Sequence, residues 1–219
     1  MSTTPNGPTL ARVSGNGEAR TAEPGPQEAV NWRWAALLWL ALALHAWSLA
    51  ADSGRAGLWH LLWSCHVATF LLGVGLAARS RLLVQAGFLF HLGIGLPAWL
   101  VQVIVTHGTF GGAALVPHLL ASSILVHILP LAAGYVALGR ARFARSAWFM
   151  AMGIQVILVP VAHWLTPADL NVNLAHQPWP PMQHAIPSLW GFQALESAVC
   201  GASLLMVWAI WNRWMARGA

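Results

Sequence analysis

An all-α bundle of six transmembrane helices is the fold this sequence predicts, on three observations. Hydrophobic residues make up 58% of the chain and charged residues 8%, whereas a water-soluble domain carries about a quarter charged. Apolar runs recur at about twenty residues, the length that crosses about 30 Å of hydrocarbon as an α-helix. Leaving histidine aside, the basic residues are all arginine, and they fall between those runs or, for Arg33, at the very start of one.

Residues 1–30 are rich in Pro, Gly, Thr, Asn and Glu without an apolar period. Such a segment buries too little surface to offset its ordering entropy, and it reads as a disordered cytoplasmic tail. Residues 31–215 then form one transmembrane domain. Its spans are expected at Trp32–Ala51, Leu58–Ala78, Leu82–Val105, Pro117–Leu138, Ser146–Leu165 and Ser188–Trp211. The first run ends in Ser48-Leu49-Ala50-Ala51, small residues like those of a signal-peptidase site, but the polar stretch before it is far longer than a usual n-region.

Alternating six spans sends Arg12, Arg20, Arg33, Arg79, Arg81, Arg140, Arg142, Arg145, Arg213 and Arg217 to one side and Arg55 alone to the other. Translocation retains basic loops, so the arginine-rich side, with both termini, is expected in the cytoplasm. A missing or extra span would scatter these residues. Their dispersal in twos and threes also argues against nucleic acid as a partner, since phosphate-binding residues gather on one polar face.

Smaller features fit a bundle. Most tryptophans lie towards predicted span ends, Trp47, Trp59, Trp63, Trp99, Trp164, Trp179 and Trp190 on the outer side, as an interfacial belt does. Pro97, Pro130 and Pro160 fall inside spans, where a neighbour or water must satisfy the freed carbonyl. Gly73, Gly75, Gly93 and Gly95 permit close helix approach. Cys65 and Cys200 both sit in apolar runs and are expected as free thiols. Two outer connections differ: Thr106–Gly112 is short and glycine-rich, while Thr166–Pro187 is long enough to be a lid or binding element.

The chemistry-bearing residues are few. Ionisable groups in lipid cost roughly 2.5 to 3.5 kcal/mol on insertion scales, so those that persist face a cavity or a partner. Glu196 is the only acid well inside a span, at a depth of roughly 12 Å from the outer end, with Cys65 at roughly 10 Å and His127 at roughly 15 Å. A thiol, an imidazole and a carboxylate at one level are the parts of an activated nucleophile. Ser123 and Thr69 share helix faces with His127 and Cys65, and Gln193 and Cys200 flank Glu196. Interhelical polar contacts that hold a bundle together are the other reading of the same residues.

No His-Glu-x-x-His or paired-histidine motif occurs within a span, so no metal centre is expected. Bis-histidine haem needs only one ligand per helix, and His45, His66 or His91 could serve. No other cofactor is implied. The chain lacks the internal repeat of a two-fold transporter.

Cys65, His127, the loop Asn171-Val172-Asn173-Leu174 and the segment Gly191-Phe192-Gln193-Ala194-Leu195-Glu196 resemble the YwaF-like family of bacterial integral membrane proteins, which looks related to a eukaryotic cysteine/histidine phospholipid acyltransferase. The resemblance runs from about Trp63 to Cys200. It implies a multi-pass protein of the bacterial inner membrane, with Cys65 accepting an acyl chain, His127 as its partner and Asn171 and Asn173 in the family's asparagine loop. The chain departs from the pattern at His66, where an acidic residue often follows the cysteine.

These readings converge on a lipid acyltransferase or thioesterase-like enzyme with membrane lipids as partners. Cys65 is its expected nucleophile, His127 its base and Glu196 its supporting acid, while Asn171, Asn173, Ser123 and Gln193 contact substrate. A non-catalytic bundle that binds a lipid, haem, pigment or partner subunit is the alternative.

Overall fold

The chain enters the bundle at Pro26, a residue whose fixed φ and missing N–H suit the first turn of a helix. This computed structural model describes residues 26–105, 109–110, 113–114 and 117–217. Most of the expected disordered tail, including Arg12 and Arg20, therefore lies outside the described residues, but its last five residues already belong to helix α1 (Pro26–Gly57). The described segments are helical apart from turns and a two-residue strand pairing of Thr109–Phe110 with Ala113–Ala114. Of the expected Thr106–Gly112 connection, 106–108 and 111–112 lie outside the described residues.

Five stretches are long and apolar enough to cross a membrane: Asn31–Leu62, Arg81–Ile104, Pro117–Leu138, Arg145–Leu165 and Leu189–Arg217. The expected second span, Leu58–Ala78, is not one helix. A 3-10 turn at Leu58–Leu62 ends at Trp63, whose extended backbone (φ −60°, ψ 142°) breaks the ladder, and α2 (Ser64–Ala77) begins only after it. Its 14 residues rise about 21 Å, short of a full crossing, yet α2 is central: Ala68, Thr69 and Leu72 are wholly buried.

The third expected span is a composite of α3 (Arg81–Phe90), a π-helical turn (His91–Gly95) and α4 (Leu96–Val105). Ser80 caps α3 by accepting from Leu83 N–H. The remaining helices are α5 (Pro117–Leu138), α6 (Arg145–Leu165) and α7 (Leu189–Arg217). Glycine sets the closest approaches. A Cβ on Gly75 would lie 2.6 Å from the Val84 nitrogen and one on Gly87 2.8 Å from the Leu72 nitrogen, so α2 and α3 touch backbone to backbone.

The core is built from Leu38, Leu72, Leu76, Phe88, Phe90 and Leu204. Towards one end Phe88, Phe143 and Trp211 meet edge to face or tilted. That end also gathers the arginine-bearing turns. Gln85 donates to the Arg142 carbonyl (2.8 Å) and accepts from Ala144 N–H, Asn212 accepts from Phe143 N–H (2.7 Å), and Trp211 donates to the Ala141 carbonyl. Asn31 of α1 borders the same cavity as Arg79 and Arg81, so the first and last described helices both reach the arginine-bearing end.

Candidate functional site

At the opposite end a cavity of about 200 Å³ lies between α1, the start of α2, the π turn with α4, α5 and α7. The break at Trp63 creates it by placing the first turn of α2 inside the bundle. The exposed backbone N–H groups of that turn need an acceptor, and Asn173 supplies one from the loop between α6 and α7. Its Oδ1 accepts from Ser64 N–H and from Ser64 Oγ–H, both at 3.0 Å, while its Nδ2 donates to the Leu62 carbonyl at 2.7 Å. Asn171 and Asn173 both have left-handed backbone, φ 41° and 52°, which asparagine tolerates better than most residues.

Cys65 follows in the first turn of α2. Gly95 in the π turn packs against it, and a Cβ there would come within 2.8 Å of the Cys65 Cα. Cys65 and Cys200 are both free thiols, partly buried, at the cavity wall.

His45, His60, His66 and His127 line the cavity and His91 lies beside His127; hydrogen bonds fix which nitrogen carries the proton in four of these rings. A backbone carbonyl can only accept, so His66 Nδ1–H donates to His60 O (2.8 Å), His127 Nδ1–H to Ser123 O (2.6 Å) and His91 Nε2–H to His127 O (2.9 Å). The Ser122 hydroxyl donates to Leu119 O, which leaves its oxygen to accept from His45 Nδ1–H at 3.0 Å. The remaining lone pairs of His66 and His127, both on Nε2, are buried and have no protein partner. The Cys65 sulfur and one nitrogen of each of these two rings lie within 4.8 Å of one another. The expectation of no metal centre rested on spacing within one helix; this trio is assembled from α2 and α5.

Cys65, His127, Glu196, Ser123 and Asn173 all border the cavity, whereas Asn171 and Gln193 do not. Asn171 shapes its own loop, accepting from His176 and Gln177 N–H and donating to Gln177 O. Gln193 donates to Leu174 O at 2.5 Å. Glu196 is not what orients His127; the Ser123 carbonyl one turn earlier does that, and the buried Glu196 Oε2 has no hydrogen-bond partner. Ser123 also accepts from Trp99 Nε1–H at 3.0 Å through its hydroxyl.

Trp99 corrects the belt assignment. Its ring stacks on His127 at 4.4 Å and 15°, and its position gave no signal beyond a span end. Trp164, Trp190 and Trp47 are mostly exposed, as a belt requires, but Trp211 is in the core. His66 reads in the sequence as a departure from a family pattern and as a possible haem ligand, and its contact with His127 (ring centroids 5.8 Å) needs the fold to appear. A haem held between His45 and His66 does not fit. The His45 and His66 rings are 4.8 Å apart, too close to admit a macrocycle between them, and the cavity falls below the roughly 300–1,000 Å³ of pockets that enclose a drug-sized ligand.

No family model, no curated protein and no solved structure matches this chain.

Proposed function

We propose that the chain is an integral membrane protein of the bacterial inner membrane that moves acyl chains between lipids through Cys65 and His127. The six segments alternate across the bilayer, both termini and the arginine-bearing turns face the cytoplasm, and the cavity opens nearer the outer leaflet. The resemblance to the YwaF-like family, carried by the order of Cys65, His127 and the asparagine loop, supports the same reading.

The observation that carries it is a thiol within 4.8 Å of a ring nitrogen of His127 at one cavity, with the Nε2 of that ring buried and unpartnered. His127 Nε2 takes the thiol proton, and the thiolate sulfur bonds to the carbonyl carbon of a phospholipid ester. The ester C–O bond breaks, the departing lipid alkoxide recovers the proton from the imidazolium, and a thioester remains on Cys65. A second lipid hydroxyl, or water, then attacks with His127 as base and frees the thiol. A cavity of about 200 Å³ holds the ester region of a lipid, not its tails, so the tails stay in the bilayer. Glu196 contributes a carboxyl to the lining of the same cavity.

Labelling of native membranes with a lipid-like thiol-reactive acyl probe tests this. Wild type should label, Cys65→Ala should not, and His127→Ala should label far more slowly. Equal labelling of wild type and Cys65→Ala would remove the assignment. The second reading, a bundle that binds a ligand without turnover, draws support from the way Asn171 and Asn173 use their amides on the protein itself rather than on an oxyanion.

A further inference from the structure

The acyl-transfer reading uses one imidazole lone pair, and the site presents two. His66 is 5% exposed and His127 2% exposed, and each has spent its Nδ1 proton on a backbone carbonyl. Leaving two buried acceptors unsatisfied costs free energy unless something fills them. A carbonyl behind the ring that fixes the tautomer and turns Nε2 forward is the arrangement that supports histidine as a metal ligand. The third group is the Cys65 sulfur, which lies with one nitrogen of each ring inside a span of 4.8 Å.

We propose that Cys65 Sγ, His66 Nε2 and His127 Nε2 form a three-coordinate site for a thiophilic cation, Cu(I) in first place. One soft thiolate and two imidazoles select copper or zinc over magnesium or calcium. Charge then separates the two. Thiolate with Cu(I) is neutral overall, whereas thiolate with Zn(II) leaves a positive charge buried among apolar helices, which is expensive. Glu196, which could offset that charge, lies outside the group.

The three donors span up to 4.8 Å. Metal bonds of about 2.0–2.3 Å need them about an ångström closer, a rotamer-scale adjustment for Cys65 at the helix start. Binding breaks the S–H bond, releases one proton and forms three bonds to the metal without any change of oxidation state. Both imidazoles are already neutral, so no second proton is lost. The trio also serves the acyl-transfer reading, but the two uses exclude one another in time, since a metal-bound thiolate is not free to attack an ester.

The test is Cu(I) titration of the purified full-length protein, kept reducing, in competition with a chromophoric Cu(I) chelator. Proton release and X-ray absorption at the copper edge are measured alongside. Wild type and Cys200→Ser should each take up one equivalent, with one proton released and a shell of one sulfur and two nitrogens. Cys65→Ser, His127→Ala and His66→Gln should lose it. Glutamine at 66 keeps a donor for the His60 carbonyl, so a folded His66→Gln protein, verified by its thermal unfolding, guards against misreading a collapsed site. Uptake by Cys65→Ser or His66→Gln equal to wild type would overturn the site, and displacement of Cu(I) by equimolar Zn(II) would overturn the choice of metal. Acyl labelling after chelation is read separately, so failure of the enzyme reading and failure of the metal site give different results.

Discussion

Ser64 and Asn173, 109 residues apart in the chain, are joined by two hydrogen bonds of 3.0 Å, from the Ser64 N–H and its hydroxyl to the Asn173 side-chain oxygen. An N-cap normally comes from the residue just before a helix. Here Trp63 occupies that position and offers no side-chain acceptor, so the cap arrives from the loop between α6 and α7. The residue that follows the capped position is Cys65.

Removing this cap should therefore damage both stability and site. Asn173→Ala leaves the Ser64 N–H and the Leu62 carbonyl without their partner, at a cost of ~1–3 kcal/mol, read as a lower thermal midpoint in detergent. Labelling of Cys65 should fall with it. Asn173→Asp keeps the acceptor but not the donor to Leu62 and should fall between alanine and wild type; a wild-type midpoint for Asn173→Ala would remove the capping role.

Gly95 should tolerate no side chain. The Cβ of Gly95→Ala meets the Cys65 backbone at 2.8 Å, and overpacking of this kind costs about 1–3 kcal/mol. Gly153, with nothing within 4 Å of its virtual Cβ, is the control, and Gly153→Ala should match wild type in unfolding and in thiol labelling. Equal behaviour of the two substitutions would contradict the packing described.

Trp99→Phe preserves an aromatic ring over His127 while removing the bond to Ser123 Oγ, and it should retain most of the Cys65 reactivity. Trp99→Ala strips the stacked face from His127 and should reduce labelling by about two- to tenfold, since an aromatic pair contributes about 0.5–1.5 kcal/mol beyond its burial. Parallel losses in both variants would instead identify the Ser123 bond as the part that matters.

Topology is checked independently of chemistry. Reporters fused at each terminus should both report the cytoplasm, and one inserted near His184 should report the opposite side. Termini on opposite sides of the membrane would overturn the six-segment alternation.

The helical architecture was legible because composition, run length and arginine placement depend on the solvent rather than on packing. Five of the six expected spans correspond to stretches of sufficient length and apolarity. The sixth, Leu58–Ala78, looked continuous because hydropathy does not register a break in hydrogen bonding at one residue. Only Asn173, far along the chain, makes that break affordable. The depths of Cys65, His127 and Glu196 placed them at one wall, but depth carries no information on rotation about a helix axis. Hence Ser123, rather than Glu196, orients His127. His66 and Trp99 were hidden for the same reason, since their partners lie on another helix.

The π turn at His91–Gly95 acts as a phase shifter. Absorbing an extra residue in one turn sets everything after it back by about 100° relative to a regular helix of the same sequence, so α3 can aim Phe88 at the aromatic cluster while α4 still aims Trp99 at His127. A perfectly regular helix of the same sequence would satisfy one of these aims and forfeit the other. Deleting a single residue between 91 and 95 would close the turn to ordinary pitch while leaving the indole over the imidazole, whereas inserting one elsewhere in α4 before Trp99 would swing it away, with the greasiness and charge of the segment almost untouched.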